Sequence, residues 1–311
     1  MEKKLSIILP TMNRLNNLKN AINSISKFIK FDYDLIVVDG QSTDGTHEYL
    51  QGVSNCNLII RKPMGVRDAN NWGLSQVKTP YVVFMSDDLV LLKDNFSLGI
   101  EILEENSNTG LIGLKIRERV LSGKNIGDKL YAGAVSNFGI LTINFPLINV
   151  NLIREIGGFS QNYVTYVAET DLTLKILLSG YKISHIKSIT ADHLVYSEID
   201  KEPAFKSEDM MMGGKVYLEK YSFLPTHSSL DDSLKSKFKK NIRTILLNLF
   251  FFRRKKMLGY FRSDIWNTWR SKYVNNLDPI INLTKKYHLV QKLPDKLISE
   301  NLEKIKEIIG G

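Results

Sequence analysis

Two kinds of apolar pattern alternate along the first half of the chain. Short runs rich in β-branched residues are typical of buried strands, whereas longer segments with apolar residues three or four positions apart are typical of helices. Strands are predicted at Leu5–Leu9, Asp34–Val38, Leu58–Ile60 and Tyr81–Met85, and helices between them at Asn17–Ile29, Thr43–Gln51 and Asp68–Val77. This alternation indicates crossover connections and a largely parallel sheet, so the predicted fold class is α/β.

The pattern is less regular beyond residue 96. A helix is predicted at Ile100–Glu105, a strand at Gly110–Ile116 and a second helix at Asp171–Ser179, which Gly180 ends. Between them, residues 117–134 contain three glycines among polar residues. We expect this stretch to be a loop over the functional site.

The composition is that of an ordinary globular protein with one cysteine among 311 residues. That residue, Cys56, has no cysteine with which to form an internal disulfide, which fits a reducing compartment. The first residues, Met-Glu-Lys-Lys, lead directly into a predicted strand, and no stretch approaches the roughly 20 apolar residues that span a bilayer. We therefore expect a cytoplasmic protein without a signal peptide.

The basic excess of the chain lies in its last part. Residues 223–311 carry 18 Lys and Arg and 8 Asp and Glu, a net charge of +10, whereas residues 1–222 sum to −1. A Pro- and Ser-containing segment begins at Phe223, where the pattern also changes. We predict a catalytic domain over residues 1–222 and a helical basic extension over residues 223–311.

Two uses of the basic extension remain open from the sequence. The apolar run Ile245–Phe252 is flanked by clusters of Lys and Arg, and three aromatic residues at helical spacing follow within 266–273. Such a segment, residues 235–273, is able to make peripheral contact with the inner face of the cytoplasmic membrane. Alternatively, it packs on the catalytic core as a helical subdomain with solvated basic faces. The balanced charge of residues 1–222 offers no extended basic track, so no nucleic-acid partner is expected.

Two adjacent carboxylates, Asp87 and Asp88, follow the predicted strand Tyr81–Met85. Open α/β sheets bind their ligands at the carboxyl ends of strands. Paired carboxylates there favour a hard divalent cation, Mg²⁺ or Mn²⁺, which in turn indicates a phosphate-bearing substrate. The alternative is a simple Asp-Asp turn, because Asp is common in turns.

Several motifs then occur in a fixed order. They are Pro10-Thr11-Met12-Asn13-Arg14, Val37-Val38-Asp39-Gly40 with Ser42-Thr43-Asp44-Gly45 after it, Gly65 to Leu74, the Asp87-Asp88 pair, Gly157-Gly158-Phe159 and Glu169-Thr170-Asp171. This series resembles the family 2 inverting glycosyltransferases of the GT-A fold over about residues 4–195. A dinucleotide-binding dehydrogenase is a poorer match, because no glycine-rich fingerprint follows the first strand.

The resemblance implies a fold and an activity. The fold is GT-A, Rossmann-like, with a mixed and mostly parallel sheet flanked by helices. The activity is transfer of a sugar, with inversion, from a nucleotide diphosphate donor, UDP by resemblance, to a hydroxyl of a saccharide or lipid-linked saccharide. Such transfer serves the synthesis of cell-envelope polysaccharide or glycolipid, and the implied cofactor is Mn²⁺ or Mg²⁺.

The resemblance also assigns roles to individual residues. Glu169 stands where the family has the general base, and Asp171 is its neighbour that orients the acceptor or the helix start. The metal is assigned to Asp88 and His193. The nucleotide sugar is assigned to Pro10, Thr11, Asn13, Arg14, Asp39, Arg67, Asp68 and Asp87.

Structural roles are the alternative for several of these residues. Asp39 is also suited to capping a turn, Glu169 and Asp171 to the first turn of a helix, and His193 to a structural position. The family usually has acids where Gly40 and Ser86 stand in this chain. A non-catalytic protein that binds nucleotide sugars is therefore the rival interpretation, although Glu169 and Asp88 remain.

Overall fold

One sheet organises the part of the chain that the structure describes. The structure, a computed structural model, describes residues 3–62, 65–120, 129–131, 143–161, 163, 167–195, 205–224, 287–293 and 295–310. The strands of the sheet are β1 (Leu5–Thr11), β2 (Tyr33–Asp39), β3 (Cys56–Ile60), β4 (Tyr81–Phe84), β5 (Leu89–Leu91), β6 (Thr109–Val120), β7 (Lys129–Tyr131), β8 (Pro146–Asn149), β9 (Lys182–Val195) and β10 (Tyr287–Gln291).

Helices cover both faces of this sheet. They are α1 (Leu15–Phe28), α2 (Thr46–Gln51), α3 (Val66–Gln76), α4 (Phe96–Glu105), α5 (Val150–Glu155), α6 (Ala168–Leu178), α7 (Phe205–Lys220), α8 (Asp295–Glu300) and α9 (Leu302–Gly310). Side chains alternate between the faces along each strand. On β1, Ile8 therefore joins the core under α3, α5 and α6, while Ile7 and Leu9 join the core under α1 and α4.

The N-terminal half of the sheet is parallel, as the sequence predicts. Its strands lie in the order β3-β2-β1-β4, and Thr11 on β1 pairs with Asp39 on β2 at the carboxyl ends of both strands. Because parallel strands end at the same edge, the loops after β1, β2 and β4 meet there. This edge carries the candidate site.

The other half makes the sheet mixed. β8 runs antiparallel to both β4 and β6, and β9 runs parallel to β6. Among the described strands, four pairs are parallel and five are antiparallel. The prediction of a mixed sheet flanked by helices is confirmed.

Part of the predicted loop over residues 117–134 belongs to the sheet. β6 continues to Val120 because Arg117–Val120 pairs with the far end of β9, and β7 pairs back onto β6. This long-range pairing overrides the weak local pattern. Residues 121–128 and 132–134 lie outside the described residues.

The described end of the C-terminal extension joins the same sheet. β10, which the sequence does not predict, pairs antiparallel with β9 at Ile183–Ile186. α8 and α9 follow, and Ile305 of α9 is 4% exposed in the core that also contains Tyr217 and Tyr221. The predicted membrane-contact segment, residues 235–273, lies outside the described residues. Within the described part of the chain, no helix is long and apolar enough to cross a bilayer.

α3 lies unusually close to β1. A Cβ added to Gly73 on this helix would lie 2.5 Å from Cγ2 of Ile8, closer than real Cβ atoms approach other atoms. Glycine at this position therefore allows the helix backbone to approach the strand. The close contact brings the first turns of α3 to the edge where β1 ends.

Candidate active site

A cavity of about 310 Å³ opens at the carboxyl ends of β1 and β4. It is bounded by the loop after β1, the first turns of α3, the residues after β4, the Phe159 loop and the start of α6. Five residues that the sequence assigns to the site line this cavity. They are Pro10, Thr11, Arg14, Asp87 and Glu169.

A hydrogen-bonded ion-pair network occupies one end of the cavity. Arg14 donates from Nη1 to Oδ1 of Asp87 at 2.9 Å and from Nη2 to Oδ2 of Asp88 at 3.3 Å. Thr11 donates its hydroxyl to the other oxygen of Asp87 at 2.8 Å. The loop after β1 is thereby fixed to the two carboxylates that follow β4.

The two adjacent carboxylates have opposite electrostatic environments. Burial raises the pKa of Asp87 to about 6, an effect that the charge of Arg14 reduces and the charge of Asp88 increases. Burial also raises the pKa of Asp88, but the hydrogen bond and charge of His193, with help from Ser86 and Arg14, outweigh it and lower that pKa to about 2. Asp88 is therefore the firmly ionised member of the pair near neutral pH.

The donor set of these two acids suits a divalent cation. Mg²⁺ and Mn²⁺ take oxygen ligands, commonly one or two carboxylates together with phosphate oxygens. Asp87 lines the cavity, while Asp88 lies behind that lining and is joined to it through Arg14 and Ser86. The two adjacent carboxylates therefore fit an ion that binds together with a diphosphate. No group of three or more acidic, histidine or cysteine side chains that could hold a metal ion is found within the described residues.

His193 lies beside Asp88. Its Nε2 is 3.5 Å from Oδ1 of Asp88, and the same oxygen accepts a hydrogen bond from the hydroxyl of Ser86 at 2.5 Å. β9 carries His193 to this point by pairing it with Leu89 of β5. The structure thus places the histidine against the predicted metal-binding carboxylate.

Asp39 is enclosed by its own loop. Its side chain is 0% exposed and accepts two hydrogen bonds from Ser42, one from the backbone N–H at 2.8 Å and one from the hydroxyl at 2.5 Å. One of its oxygens also lies 2.6 Å from Nε2 of His47. It does not line the cavity. The contacts to Ser42 are those of the turn-capping alternative.

Asn13 joins the loops after β1 and β2. It has a φ of 52°, a left-handed conformation that asparagine tolerates better than most residues. Its backbone N–H donates to the Ser42 hydroxyl at 2.8 Å, and its side-chain oxygen accepts from the backbone N–H of Thr43 at 2.8 Å. Like Asp39, Asn13 shapes the edge of the site from outside the cavity lining.

Arg67 and Asp68 form a buried pair at the start of α3. Arg67 is 3% exposed and donates from Nε to Oδ1 of Asp68 at 2.9 Å and from Nη2 to the same oxygen at 2.6 Å. Its other terminal nitrogen donates to the backbone carbonyl of Gln161. The pair lies outside the cavity lining and connects α3 to the chain after Phe159.

Two helices fix the loop Gly157-Gly158-Phe159. Asn71 of α3 donates its amide to the carbonyl of Phe159 at 2.8 Å and accepts from the Phe159 N–H at 3.0 Å. Lys175 of α6, buried so that its pKa is lowered to about 8, donates to the carbonyl of Gly158 at 2.9 Å. Both glycines have left-handed φ values, 74° and 62°. Phe159 is therefore held at the cavity wall.

Glu169 stands in the first turn of α6, partly buried at the cavity. Burial raises the pKa of its carboxyl above the usual value. A hydrogen bond from its own backbone N–H partly offsets this effect on the pKa, and no described side chain makes a hydrogen bond or ion pair with the carboxylate. The helix begins after Val167, whose φ of 73° is rare for a β-branched residue. Glu169 thus offers an available carboxylate to a ligand in the cavity.

Asp171 has a different environment two residues later. It is 0% exposed and accepts hydrogen bonds from Lys220 Nζ at 2.8 Å, from the Tyr221 hydroxyl at 2.7 Å and from the hydroxyl of Ser160. It does not line the cavity. These contacts connect α6 to the end of α7 and to the loop after Phe159, which gives Asp171 a positioning role in the fold.

Sequence reasoning misses several of these residues. Lys220 is far from Asp171 in sequence, so no local spacing indicates the pair. His47 and Asn71 lie within predicted helices, where a polar side chain is usually solvated. The only signal for Asn71 is its position two residues before Gly73, on the close-packed part of α3.

Comparison with known proteins identifies the family. The model of glycosyl transferase family 2 matches residues 6–160, about half of the chain, including β1 to β4 and the acid pair. The chain belongs to glycosyl transferase family 2. The predicted family is thereby confirmed, and the cavity at the carboxyl ends of β1 and β4 is the candidate active site of this family 2 protein.

A curated relative supports the assignment over part of the chain. The GalNAc(5)-diNAcBac-PP-undecaprenol beta-1,3-glucosyltransferase of Campylobacter jejuni is 33% identical over 113 residues, which are 34% of this chain and 35% of the relative. The chain spans well under half the length of the curated relatives that it matches, from 16% to 42% in eight of them.

Solved structures show that the fold is shared. The crystal structure of Staphylococcus aureus TarS 1-349 in complex with UDP-GlcNAc has a TM-score of 0.55 at 17% identity, covering 72% of this chain and 67% of that one. The mannosyltransferase PcManGT from Pyrobaculum calidifontis, in complex with GDP-Man and Mn2+, has a TM-score of 0.54 at 15% identity, covering 89% of each chain. The predicted GT-A fold is confirmed.

Proposed function

We propose that this family 2 protein is an inverting glycosyltransferase that moves a sugar from a nucleotide diphosphate donor to a hydroxyl of a saccharide acceptor. The observation that carries the proposal is the position of Glu169. Glu169 lines the same cavity as Arg14 and Asp87, and its carboxylate has no side-chain partner among the described residues. Such a transfer needs one carboxylate that can take a proton from the acceptor, and a second part of the cavity with charged groups that bind the diphosphate. Glu169 would be the first, and Arg14 with Asp87 the second.

The proposed donor is a UDP-sugar. The complexes of TarS with UDP-GlcNAc and of PcManGT with GDP-Man support a nucleotide diphosphate donor as a class. In this chain, the donor would contact Pro10, Thr11, Arg14 and Asp87, which line the cavity. Asn13, Asp39, Arg67 and Asp68 would act indirectly, by holding the loops that carry those contacts.

The proposed reaction is one displacement. Glu169 takes the proton of the acceptor hydroxyl, and the hydroxyl oxygen forms a bond with the anomeric carbon of the donor sugar. On the opposite face, the bond between that carbon and the diphosphate oxygen breaks, and its electron pair leaves with the nucleoside diphosphate. The configuration at the anomeric carbon is therefore inverted. Arg14 would balance part of the negative charge that the leaving group gains.

Asp88 and His193, to which the family resemblance assigns the metal, would hold Mg²⁺ or Mn²⁺, and the adjacent Asp87 would offer a second carboxylate. When bound, the ion supplies positive charge that stabilises the leaving diphosphate. The Mn2+ in the PcManGT complex supports this cofactor class. Ser86, where the family usually has an acid, leaves this chain one carboxylate fewer at the site.

The proposed acceptor is a lipid-linked saccharide, used on the cytoplasmic side of the membrane for cell-envelope polysaccharide or glycolipid. The support is the name of the Campylobacter jejuni relative, a GalNAc(5)-diNAcBac-PP-undecaprenol glucosyltransferase. The basic segment at residues 235–273 would bring the enzyme to an anionic membrane surface.

The experiment combines donor binding with transfer. A thermal-shift panel of UDP- and GDP-sugars, each with and without Mn²⁺, identifies a donor by its stabilisation of the folded protein. Transfer from that donor to saccharide acceptors is then measured for the wild type, for Glu169→Gln and for Glu155→Gln, an exposed acid on α5 as the matched control.

We expect Glu169→Gln to bind the donor normally and to lose transfer by about 10²–10⁴-fold, the usual contribution of a general base. The control should retain wild-type rates. Normal transfer by Glu169→Gln would contradict the proposed base. A wild type that binds donors but neither transfers nor hydrolyses them would instead support the non-catalytic nucleotide-sugar-binding alternative.

A further inference from the structure

One buried amide in the cavity has no partner. Asn70 of α3 is 5% exposed and lines the cavity, and its side-chain oxygen is fully buried without a hydrogen bond to any described residue. A buried polar group left unpaired is energetically unfavourable, because it has lost its hydrogen bonds to water without gaining others. Native proteins therefore keep such groups rare, and one that belongs to a residue lining a cavity is explained when a bound ligand supplies its missing partner.

The polar groups at the other end of the cavity are already engaged. Thr11, Arg14, Ser86 and Asp87 each donate or accept hydrogen bonds within the acid-pair network. That charged end suits a diphosphate, whose negative charge Arg14 can balance. The unpaired amide of Asn70 is neutral, so it suits a hydroxyl group better than a phosphate.

A chain of contacts places Asn70 towards the Glu169 side. The next residue, Asn71, makes two hydrogen bonds to the backbone of Phe159. The residue after Phe159, Ser160, donates to Asp171 in the first turn of α6, the turn that also carries Glu169. The turn of α3 with Asn70 therefore lies beside the wall formed by Phe159 and the start of α6.

The composition of this wall fits a sugar ring. Phe84 and Phe159 pack edge to face with ring centroids 4.9 Å apart, and both line the cavity. Apolar surfaces with a few directed polar groups fix the orientation of a small ligand, and here those groups are an amide and a carboxylate. A hexose offers both apolar C–H faces and hydroxyl donors.

We propose that Asn70 is a specificity-determining residue for the donor sugar: its side chain turns towards the cavity when the donor binds, and its oxygen then accepts a hydrogen bond from a hydroxyl of the sugar. This inference rests on the proposed function, because it assumes a nucleotide-sugar donor in this cavity. The inference goes further by stating which part of the donor Asn70 contacts, namely the sugar ring and not the nucleotide.

The experiment compares a nucleotide diphosphate with its sugar conjugate. Dissociation constants are measured by calorimetry for UDP and for the UDP-sugar that gives the largest thermal shift, or for the GDP pair if a GDP-sugar does. The ratio of the two constants isolates the contribution of the sugar. The proteins are the wild type, Asn70→Leu and Asn70→Ala, together with Asn95→Ala, a buried asparagine whose amide is bonded to Thr190 and Ser188.

Asn70→Leu should weaken binding of the nucleotide sugar about tenfold and leave nucleotide binding unchanged, since one hydrogen bond is worth about a factor of ten at most. Asn70→Ala should show the same loss, which excludes a steric block by leucine. Neither variant should lower the Tm of the ligand-free protein, because no protein hydrogen bond is lost. Asn95→Ala should lower the Tm and keep the wild-type ratio.

Other results would overturn the inference. An unchanged ratio in both Asn70 variants would remove Asn70 from the sugar site. Equal weakening of nucleotide and nucleotide sugar would move its contact to the nucleotide, and a wild type that binds both equally would leave no sugar subsite to assign. If the wild type binds no nucleotide sugar at all, the proposed function itself fails, which is a separate outcome.

Discussion

Arg14 lies 2.9 Å from Asp87, and its guanidinium also reaches Asp88 at 3.3 Å. The arginine thus provides a positive charge at the two carboxylates that would hold a divalent ion. The acids are largely buried, with side-chain exposures of 3% and 13%, while Arg14 is 39% exposed. Two adjacent buried carboxylates repel each other unless a cation compensates them.

Removal of this internal cation should make the fold depend on a metal ion. We expect Arg14→Met to lower the stability of the metal-free protein by about 1 kcal/mol, because Asp87 loses the guanidinium that offsets its charge, whereas Asp88 keeps its contacts with His193 and Ser86. Mn²⁺ or Mg²⁺ should restore several degrees of Tm in this variant and much less in the wild type. The measurement is a thermal melt with and without each ion, in the absence of nucleotide.

Arg14→Lys is the matched control, since it retains one positive charge. It should be less metal-dependent than Arg14→Met. Equal responses of all three proteins to the ions would mean that Arg14 does not compensate the acid pair.

The acidic limb of the pH–rate profile should reflect Glu169. A general base must be ionised, and burial raises the pKa of this carboxyl above its usual value of 4.5. The rate should therefore fall, as the pH is lowered, at a higher pH than an ordinary glutamate would give. The rate is measured at saturating donor, because Asp87, with a pKa of about 6, also titrates in the cavity and would alter donor binding.

A profile that stays flat down to the pKa of an exposed glutamate would argue against Glu169 as the base. Separate binding measurements across the same pH range show how much of any loss belongs to Asp87.

Two neighbouring asparagines should respond in opposite ways to the same substitution. Asn71→Leu removes both hydrogen bonds to Phe159 and leaves its backbone unpaired, which should cost about 2–3 kcal/mol and weaken donor binding. Asn70→Leu removes no protein hydrogen bond and should leave the Tm unchanged or higher. Thermal melts of the two purified variants check this, and equal losses of Tm in both would contradict it.

Glycine substitutions should test the contact between α3 and β1. Gly73→Ala places a methyl group 2.5 Å from Ile8, so we expect a loss of about 1–3 kcal/mol. Gly214→Ala, in the interior of α7, meets no described atom within 4 Å and should stabilise the protein by about 0.5–1 kcal/mol. Urea denaturation measures both, and a harmless Gly73→Ala would mean that α3 can move away from the strand.

The sequence predicts the parallel half of the fold and the edge on which the site lies. Period and composition identify β1, β2 and β4, and the carboxyl ends of parallel strands must meet, so Thr11, Arg14 and Asp87 are expected together. The resemblance to a known family adds Glu169, which periodicity alone would assign to an ordinary first helical turn.

The remainder depends on partners that are distant in sequence. The burial of Asp171 follows from Lys220 and Tyr221, about fifty residues later, and no local pattern indicates that contact. Likewise, β10 is a strand because the edge of β9 is available to it, not because of its own spacing. The enclosure of Asp39 by Ser42 and His47 depends on a turn geometry that residue types do not specify.

The pairing of β10 with β9 decides how the membrane proposal can be tested. A chain cut after residue 222 would lose β10 and expose the backbone of β9 at Ile183–Ile186, and open strand edges of this kind promote aggregation. Such a truncated protein would bind vesicles or precipitate for reasons unrelated to its basic residues. An internal deletion of residues 235–273 that retains residues 287–310 keeps the edge covered, so a change in vesicle binding can be attributed to the deleted segment.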